Sequence, residues 1–195
     1  MYYLPVLPRG NRKIINTYYF NKVFDDSLCD RVLAKLNDHW DDSKIETGDS
    51  GPYKSNIRIN KQQVIAPDPD GFPYSGIANI ISEINTDSWN FDITGLNFLT
   101  DPPCIFKYEN DGHFDWHRDF THRQPTRKLG FTLQLSHSSE YEGGNLEFFG
   151  HDFDEKSRER GTLILFPSYT WHRVTKLTKG DRKALVGWVH GPSFQ

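Results

Sequence analysis

His117-Arg118-Asp119, then Phe166-Pro167-Ser168, then His172 and Arg182 are the residues of this 195-residue chain whose types and order could do chemistry. Two histidines and one carboxylate make a facial ligand set for non-haem Fe(II) and leave coordination positions open. Residues i and i+2 of a strand point to one face, so a His-x-Asp pair can grip a single metal. The third ligand must come from elsewhere. His172 lies 53 residues after Asp119, just past the turn Phe166–Tyr169 and at the start of another expected strand. Arg182 follows ten positions later, and an antiparallel return would carry it deep beside the metal. A guanidinium meets a carboxylate with a two-pronged, charge-assisted fork that lysine cannot reproduce. A dicarboxylate could then chelate iron through a 2-oxo acid end and place its far carboxylate on Arg182. That is the chemistry of an oxygenase.

The same residues admit plainer readings. His117 and His172 could be ordinary histidines satisfied by hydrogen bonds, and Arg182 a surface residue paired with Asp181. The chain also holds a second His-x-Asp, His113-x-Asp115, and on one strand all four residues would face the same side. His122, His137, His151 and His190 read as surface or packing residues.

The elements that must position these groups follow from periodicity and turn signals. Residues 14–24 look like a short strand and its exit. Asp25-Asp26-Ser27 opens a helix that runs to about Trp40, with Leu28, Val32, Leu33 and Leu36 at helical spacing. Residues 41–66 are polar, with turn residues and scattered Lys44, Lys54, Arg58 and Lys61; they read as a lid or substrate loop, or as a solvated connection. A second amphipathic helix is expected over 75–86. From about residue 90, short apolar runs alternate with turn signals. Strands are expected at 94–99, 104–109, 113–119, 128–136, 145–149, 161–166, 171–175 and 183–190. This is a mainly β fold with flanking helices and a jelly-roll core. It forms one domain over residues 1–195, with helical support and lid up to 90 and the jelly roll over 91–195.

Composition narrows the classes. A formal charge of −3 gives no overall basic character to suggest a nucleic-acid partner. No stretch approaches the ~20 apolar residues of a membrane span, and Met1–Pro5 is not the start of a signal peptide. Cys29 and Cys104 are too few for a disulfide framework and are expected as reduced thiols in a cytosolic protein.

Four separated stretches and a final tryptophan now make a pattern. They are Tyr108-x3-Gly112-x-Phe114-x2-His117-x-Asp119; Tyr141-Glu142-Gly143-Gly144-Asn145-Leu146; Gly161-x4-Phe166-Pro167-Ser168-x3-His172-x-Val174; Thr178-x-Gly180-x-Arg182; and Trp188. The pattern resembles the Fe(II)- and 2-oxoglutarate-dependent dioxygenases, in the prolyl 4-hydroxylase-like branch that anchors its co-substrate with arginine. It covers about residues 104–190, with weaker similarity through the helix after Val23. The family places an aromatic three residues before the metal histidine, which Phe114 does for His117. The resemblance implies a double-stranded β-helix, iron held by His117, Asp119 and His172, and 2-oxoglutarate anchored by Arg182. Tyr108 matches a family tyrosine that can reach the co-substrate. Gln134 and Thr132 share one strand face and would line the same pocket, and Trp188 would pack its wall.

Two departures stand out. Three residues separate Tyr108 from Gly112 where the family has two, so Tyr108 could be displaced. The nucleic-acid demethylase branch carries a second arginine where this chain has Trp188, which argues against alkylated bases as substrate. The implied reaction is hydroxylation coupled to decarboxylation of 2-oxoglutarate to succinate, with O2 as oxidant and ascorbate as an optional reductant. By resemblance the substrate is a prolyl residue in a peptide or protein; a free amino acid or other small molecule stays open. Loops 41–66 and 151–160 would set the choice if they flank the mouth. The rival classes are a jelly-roll binding module with an inactive site, against which the intact ligands speak, and a cupin-like metalloenzyme, against which Asp119 speaks. Oligomeric state is not legible.

Overall fold

The structure is a computed structural model and describes residues 19–46, 52–53 and 56–194. The first elements are β1 (Tyr19–Lys22), α1 (Asp26–Leu33), β2 (Asp41–Asp42), β3 (Ile45–Glu46), β4 (Pro52–Tyr53), β5 (Arg58–Ile59), β6 (Lys61–Val64) and α2 (Tyr74–Asp87). There follow β7 (Gly95–Leu96), β8 (Cys104–Tyr108), β9 (His113–His117), β10 (Arg127–Gln134), β11 (Tyr141–Gly143) and β12 (Leu146–Phe148). The chain closes with β13 (Thr162–Pro167), β14 (His172–Val174), β15 (Leu177–Gly180) and β16 (Arg182–His190).

The larger sheet runs β1-β13-β10-β16-β8-β6-β2, with β7 against the end of β16. The smaller runs β12-β14-β9-β5, while β11 pairs with β15 and β3 with β4. This is the jelly-roll core. Alternation along the central strands builds two apolar layers. Leu129, Phe131, Leu133, Leu163, Leu165, Leu185 and Val189 face outward and pack with Val32 of α1 and Ile77 and Ile81 of α2. Phe106, Tyr108, Ile164, Phe166 and Trp188 face inward with Leu146, Phe148 and Val174 of the smaller sheet. The central strands are buried on both faces, so they read as nearly continuous apolar runs.

Four expectations need correction. The first helix ends at Leu33 instead of near Trp40, because the following chain is captured from outside. Gln63 accepts from Asn37 N–H at 2.9 Å and donates to the carbonyls of Asn37 and His39. Residues 41–66 are not simply a lid or connection: β6 lies beside β8 in the larger sheet and β5 beside β9 in the smaller. Residues 47–51 and 54–55 of that stretch, and the part of the expected first strand before Tyr19, lie outside the described residues. The strand expected at 94–99 is only Gly95–Leu96, and β11 and β15 were not anticipated. Finally, β9 stops at His117, so Asp119 sits on the bend beyond it. Among the described residues, no helix is long and apolar enough to cross a membrane.

Candidate metal and co-substrate site

The register sets His172 of β14 directly across from His117 of β9. Asp119, past the strand, is fixed through its backbone: its N–H and that of Phe120 both donate to the Ser168 carbonyl, at 2.9 and 2.8 Å. Ser168 is fully buried, its hydroxyl donates to the Arg127 carbonyl, and its N–H donates to the Lys128 carbonyl. The turn Phe166-Pro167-Ser168 therefore clamps the carboxylate against the strand pair.

The imidazoles are oriented by their own strands. His117 Nδ1 lies 2.7 Å from the Asp115 carbonyl, and His172 Nδ1 lies 2.9 Å from the Thr170 carbonyl. A carbonyl only accepts, so each Nδ1 carries the proton and each Nε2 offers a lone pair. These lone pairs face Asp119, at 3.8 Å from His117 to Oδ1 and 3.7 Å from His172 to Oδ2. Both separations are too long for hydrogen bonds. Burial, and then the neighbouring His172, hold His117 well below the usual histidine range, so it stays neutral as a ligand must. His117, Asp119 and His172 offer donor atoms all within 4.8 Å of one another. Two neutral imidazoles and a carboxylate, converging without bonding each other, fit a divalent transition metal.

Close approach is needed behind the carboxylate as well. A Cβ added at Gly130 would come within 2.7 Å of Asp119 Oδ2 and 2.8 Å of the Phe166 ring. Sequence reasoning missed Gly130; its only signal was a glycine inside a strand pattern. His113 stands apart. Both its ring nitrogens lie at hydrogen-bond distance from carbonyls, those of Asp111 and Asn56, and Asp115 is exposed and accepts from the Trp116 N–H. His122 is exposed at the cavity rim, His151 is exposed, His137 contacts Arg160, and His190 is buried beside Thr126.

Arg182 is 1% exposed and pairs in register with Tyr108, over whose ring its guanidinium lies at 5.4 Å. Its Nε donates to Gln134 Oε1 at 3.2 Å, and Gln134 Nε2 donates to the Ser157 carbonyl at 2.8 Å. Asp181 pairs with Lys183 instead. Among the described residues no carboxylate is ion-paired with Arg182. Gly144, at φ +61, lies over this side chain; a Cβ there would meet Leu177 Cδ1 at 2.8 Å and Arg182 Cδ at 3.4 Å. The extra residue between Tyr108 and Gly112 is absorbed locally, by Asn110 and Asp111 in the left-handed region. Tyr108 thus keeps its inward place.

One cavity of about 1050 Å³ is lined by His117, Asp119, His172, Arg182, Tyr108, Thr132 and Trp188. Gln134 does not line it, contrary to expectation; it braces Arg182 from behind. Two further groups escaped the sequence reading. Arg127 forks onto Asp101 at 2.7 and 2.6 Å and lies 3.5 Å over the Trp188 ring. Arg58 is wedged between Phe106 and Phe114, with its Nη2 buried and unpartnered in the cavity wall. Phe114 in turn stacks on His117.

Comparison with known proteins bears directly on this geometry. The 2OG-Fe(II) oxygenase superfamily matches over residues 104–190. A PKHD-type hydroxylase of Pseudomonas fluorescens is 31% identical over 183 residues, which span 86% of this chain and 75% of the relative. The chain belongs to the 2OG-Fe(II) oxygenase superfamily. A second PKHD-type hydroxylase, from Synechococcus sp. strain CC9605, is 30% identical over 162 residues, 80% of this oxygenase and 69% of the relative. Among solved structures, a prolyl hydroxylase from Trichoplax adhaerens in complex with a hypoxia inducible factor peptide fragment has a TM-score of 0.73 at 19% identity, covering 90% of this chain and 84% of that one. A Pseudomonas putida prolyl-4-hydroxylase has a TM-score of 0.64 at 18% identity, covering 90% and 92%. These two show the fold. The protein is a 2-oxoglutarate-dependent dioxygenase, and the family's Fe(II), 2-oxoglutarate and O2 fit the donor set described above.

Proposed function

We propose that this oxygenase hydroxylates a prolyl residue of a peptide or protein while 2-oxoglutarate is decarboxylated to succinate. His117, Asp119 and His172 would hold the iron, and Arg182 the far carboxylate of 2-oxoglutarate. The observation that carries the reading is one cavity joining a convergent His-Asp-His set to a buried arginine that no described carboxylate neutralises. When bound, the iron would let O2 supply the oxidising power for an unactivated C–H bond, one oxygen atom going to the substrate and the other to succinate as 2-oxoglutarate is oxidised with loss of carbon dioxide.

The rest is the work of this chain. The Asp115 and Thr170 carbonyls hold the imidazole tautomers, and Ser168 holds Asp119. Gln134 takes one N–H of Arg182 and so turns the rest of the fork toward the cavity. The Tyr108 hydroxyl, kept neutral by burial, can donate to a co-substrate oxygen. Phe106, Phe114 and Phe166 help keep the reacting end dry. The prolyl assignment is supported by the names of the structural neighbours, one of them holding a peptide. One oxygenase unit is enough for this, since strands from before residue 90 complete both sheets.

A second reading, hydroxylation of a free amino acid, is favoured by Arg58, whose unpartnered Nη2 could meet a carboxylate inside the cavity. The deciding experiment is succinate formation by protein reconstituted with Fe(II), 2-oxoglutarate and O2, with and without ascorbate, against proline-containing peptides and free amino acids. Stimulation by a proline peptide is expected. Stimulation by free amino acids alone would replace the first reading with the second.

A further inference from the structure

The rim of the cavity carries aromatic surface that the reading above does not use. Phe149 is 69% exposed and Trp171 46%. The two are neighbours, for Phe149 N–H donates to the Trp171 carbonyl at 3.0 Å. Trp116 meets Phe149 edge-on with ring centroids 5.6 Å apart. Trp116 and Trp171 also line the cavity, so the strip begins at its mouth and runs outward to Phe149.

The strip is braced from outside. Arg173 lies 4.7 Å over the Trp116 ring and is itself held by Glu147 at 2.7 Å. At the metal end, Arg118 lies 5.0 Å over Trp171. Arg118 is exposed, and among the described residues no carboxylate is ion-paired with it. Contiguous exposed aromatics held in fixed positions are characteristic of binding surfaces, where tryptophan and arginine contribute most.

We propose that this strip docks the stretch of a polypeptide substrate that flanks the residue entering the cavity. An apolar side chain, proline included, would lie on Phe149 and Trp171, and an acidic side chain would meet Arg118. The inference rests on the polypeptide reading of the function. Two observations select this occupant. The strip is continuous with the cavity, so a chain with one residue inside must leave across the rim. Arg118 stands between His117 and Asp119 in sequence and presents unneutralised positive charge at that exit. Extended proline-containing segments suit such aromatic surfaces because little conformational freedom is lost on docking.

The test is selection of displayed random peptides with a central proline on the full chain, followed by affinity and turnover measurements on the peptides recovered. Enrichment of an acidic residue near an apolar one is expected. Phe149→Ser with Trp171→Ser should weaken binding about tenfold, with 2-oxoglutarate affinity by calorimetry unchanged. Arg118→Glu, which removes no packing from the core, should switch the preference from acidic to basic residues. Absence of any preference, or affinity indifferent to all three substitutions, overturns the proposal. So does self-association of the wild type that the substitutions abolish, since the strip would then join two copies of this chain. Peptides held by the strip but never hydroxylated would leave the docking surface standing and remove the prolyl reading. Peptides hydroxylated equally well by wild type and variants would do the reverse.

Discussion

Asp119 faces two imidazole lone pairs across gaps of 3.7 and 3.8 Å, and a carboxylate so placed gains nothing from either neutral ring. A cation between them turns mutual repulsion into coordination. Metal should therefore stabilise the fold by RT ln(1 + [M]/Kd), about 2.7 kcal/mol at a hundredfold excess over Kd, and so raise the melting temperature. Asp119→Ala should abolish both turnover and the shift seen on adding Mn(II). Should the shift persist in that variant, the carboxylate ligand lies elsewhere. Arg182 carries a separable expectation. Removing one partner of a buried, hydrogen-bonded charge pair costs ~2–5 kcal/mol, so Arg182→Ala should weaken 2-oxoglutarate binding by about thirtyfold or more while Mn(II) binding is retained. Gln134→Leu leaves the Arg182 Nε and the Ser157 carbonyl without their partner and should cost about three- to tenfold in 2-oxoglutarate affinity. Calorimetry with both ligands separates these outcomes from a general folding defect, which would weaken both together.

Elements show which parts of this design are legible from sequence. The polar run Lys61-Gln62-Gln63-Val64 hides a strand, because β6 is identifiable only by its pairing with β8 on one side and the two-residue β2 on the other. The same Gln63 ends α1 early by binding the chain after it. Gln63→Ala should then loosen residues 37–40, cost ~1–3 kcal/mol, and raise amide exchange there without changing 2-oxoglutarate affinity. Unchanged exchange at Asn37 and His39 would mean that α1 ends for a local reason instead. The central strands were legible for the opposite reason: residues such as Leu129, Phe131 and Ile164 are apolar on both faces and punctuated by turns. His117, Asp119, His172 and Arg182 were legible because these side chains are expensive to bury and stand out in apolar runs. Gly130, Arg58 and Arg127 were not, since their roles depend on what the fold brings near them. Gln134 was placed on the right face but given the wrong neighbour, because alternation fixes a side and not a contact.

Across the whole molecule, two buried thiols set an alkaline limit. Cys29 is fully buried on the inner face of α1 and Cys104 is 6% exposed in the cavity wall; both are free thiols. Burial pushes each thiol up to about 11 from an ordinary 9.0. Above pH 9 the unfolded chain has lost these protons while the folded one keeps them. The folded state then binds more protons, so stability falls as pH rises from 9 toward 11. Buried Tyr74 and Tyr108 are pushed upward too, but from an ordinary 10.0, so their share begins later. Between pH 9 and 10 the decline belongs to the thiols. Each contributes ~1 kcal/mol by pH 10, and together they should lower the melting temperature by about 4–8 °C for a domain of this size. Melting curves of metal-free protein from pH 7 to 10 test this against the Cys29→Ala/Cys104→Ala variant. The variant should be less stable at pH 7, through lost packing, yet nearly flat up to pH 10. A decline as steep as the wild type's would assign the alkaline limit to other groups.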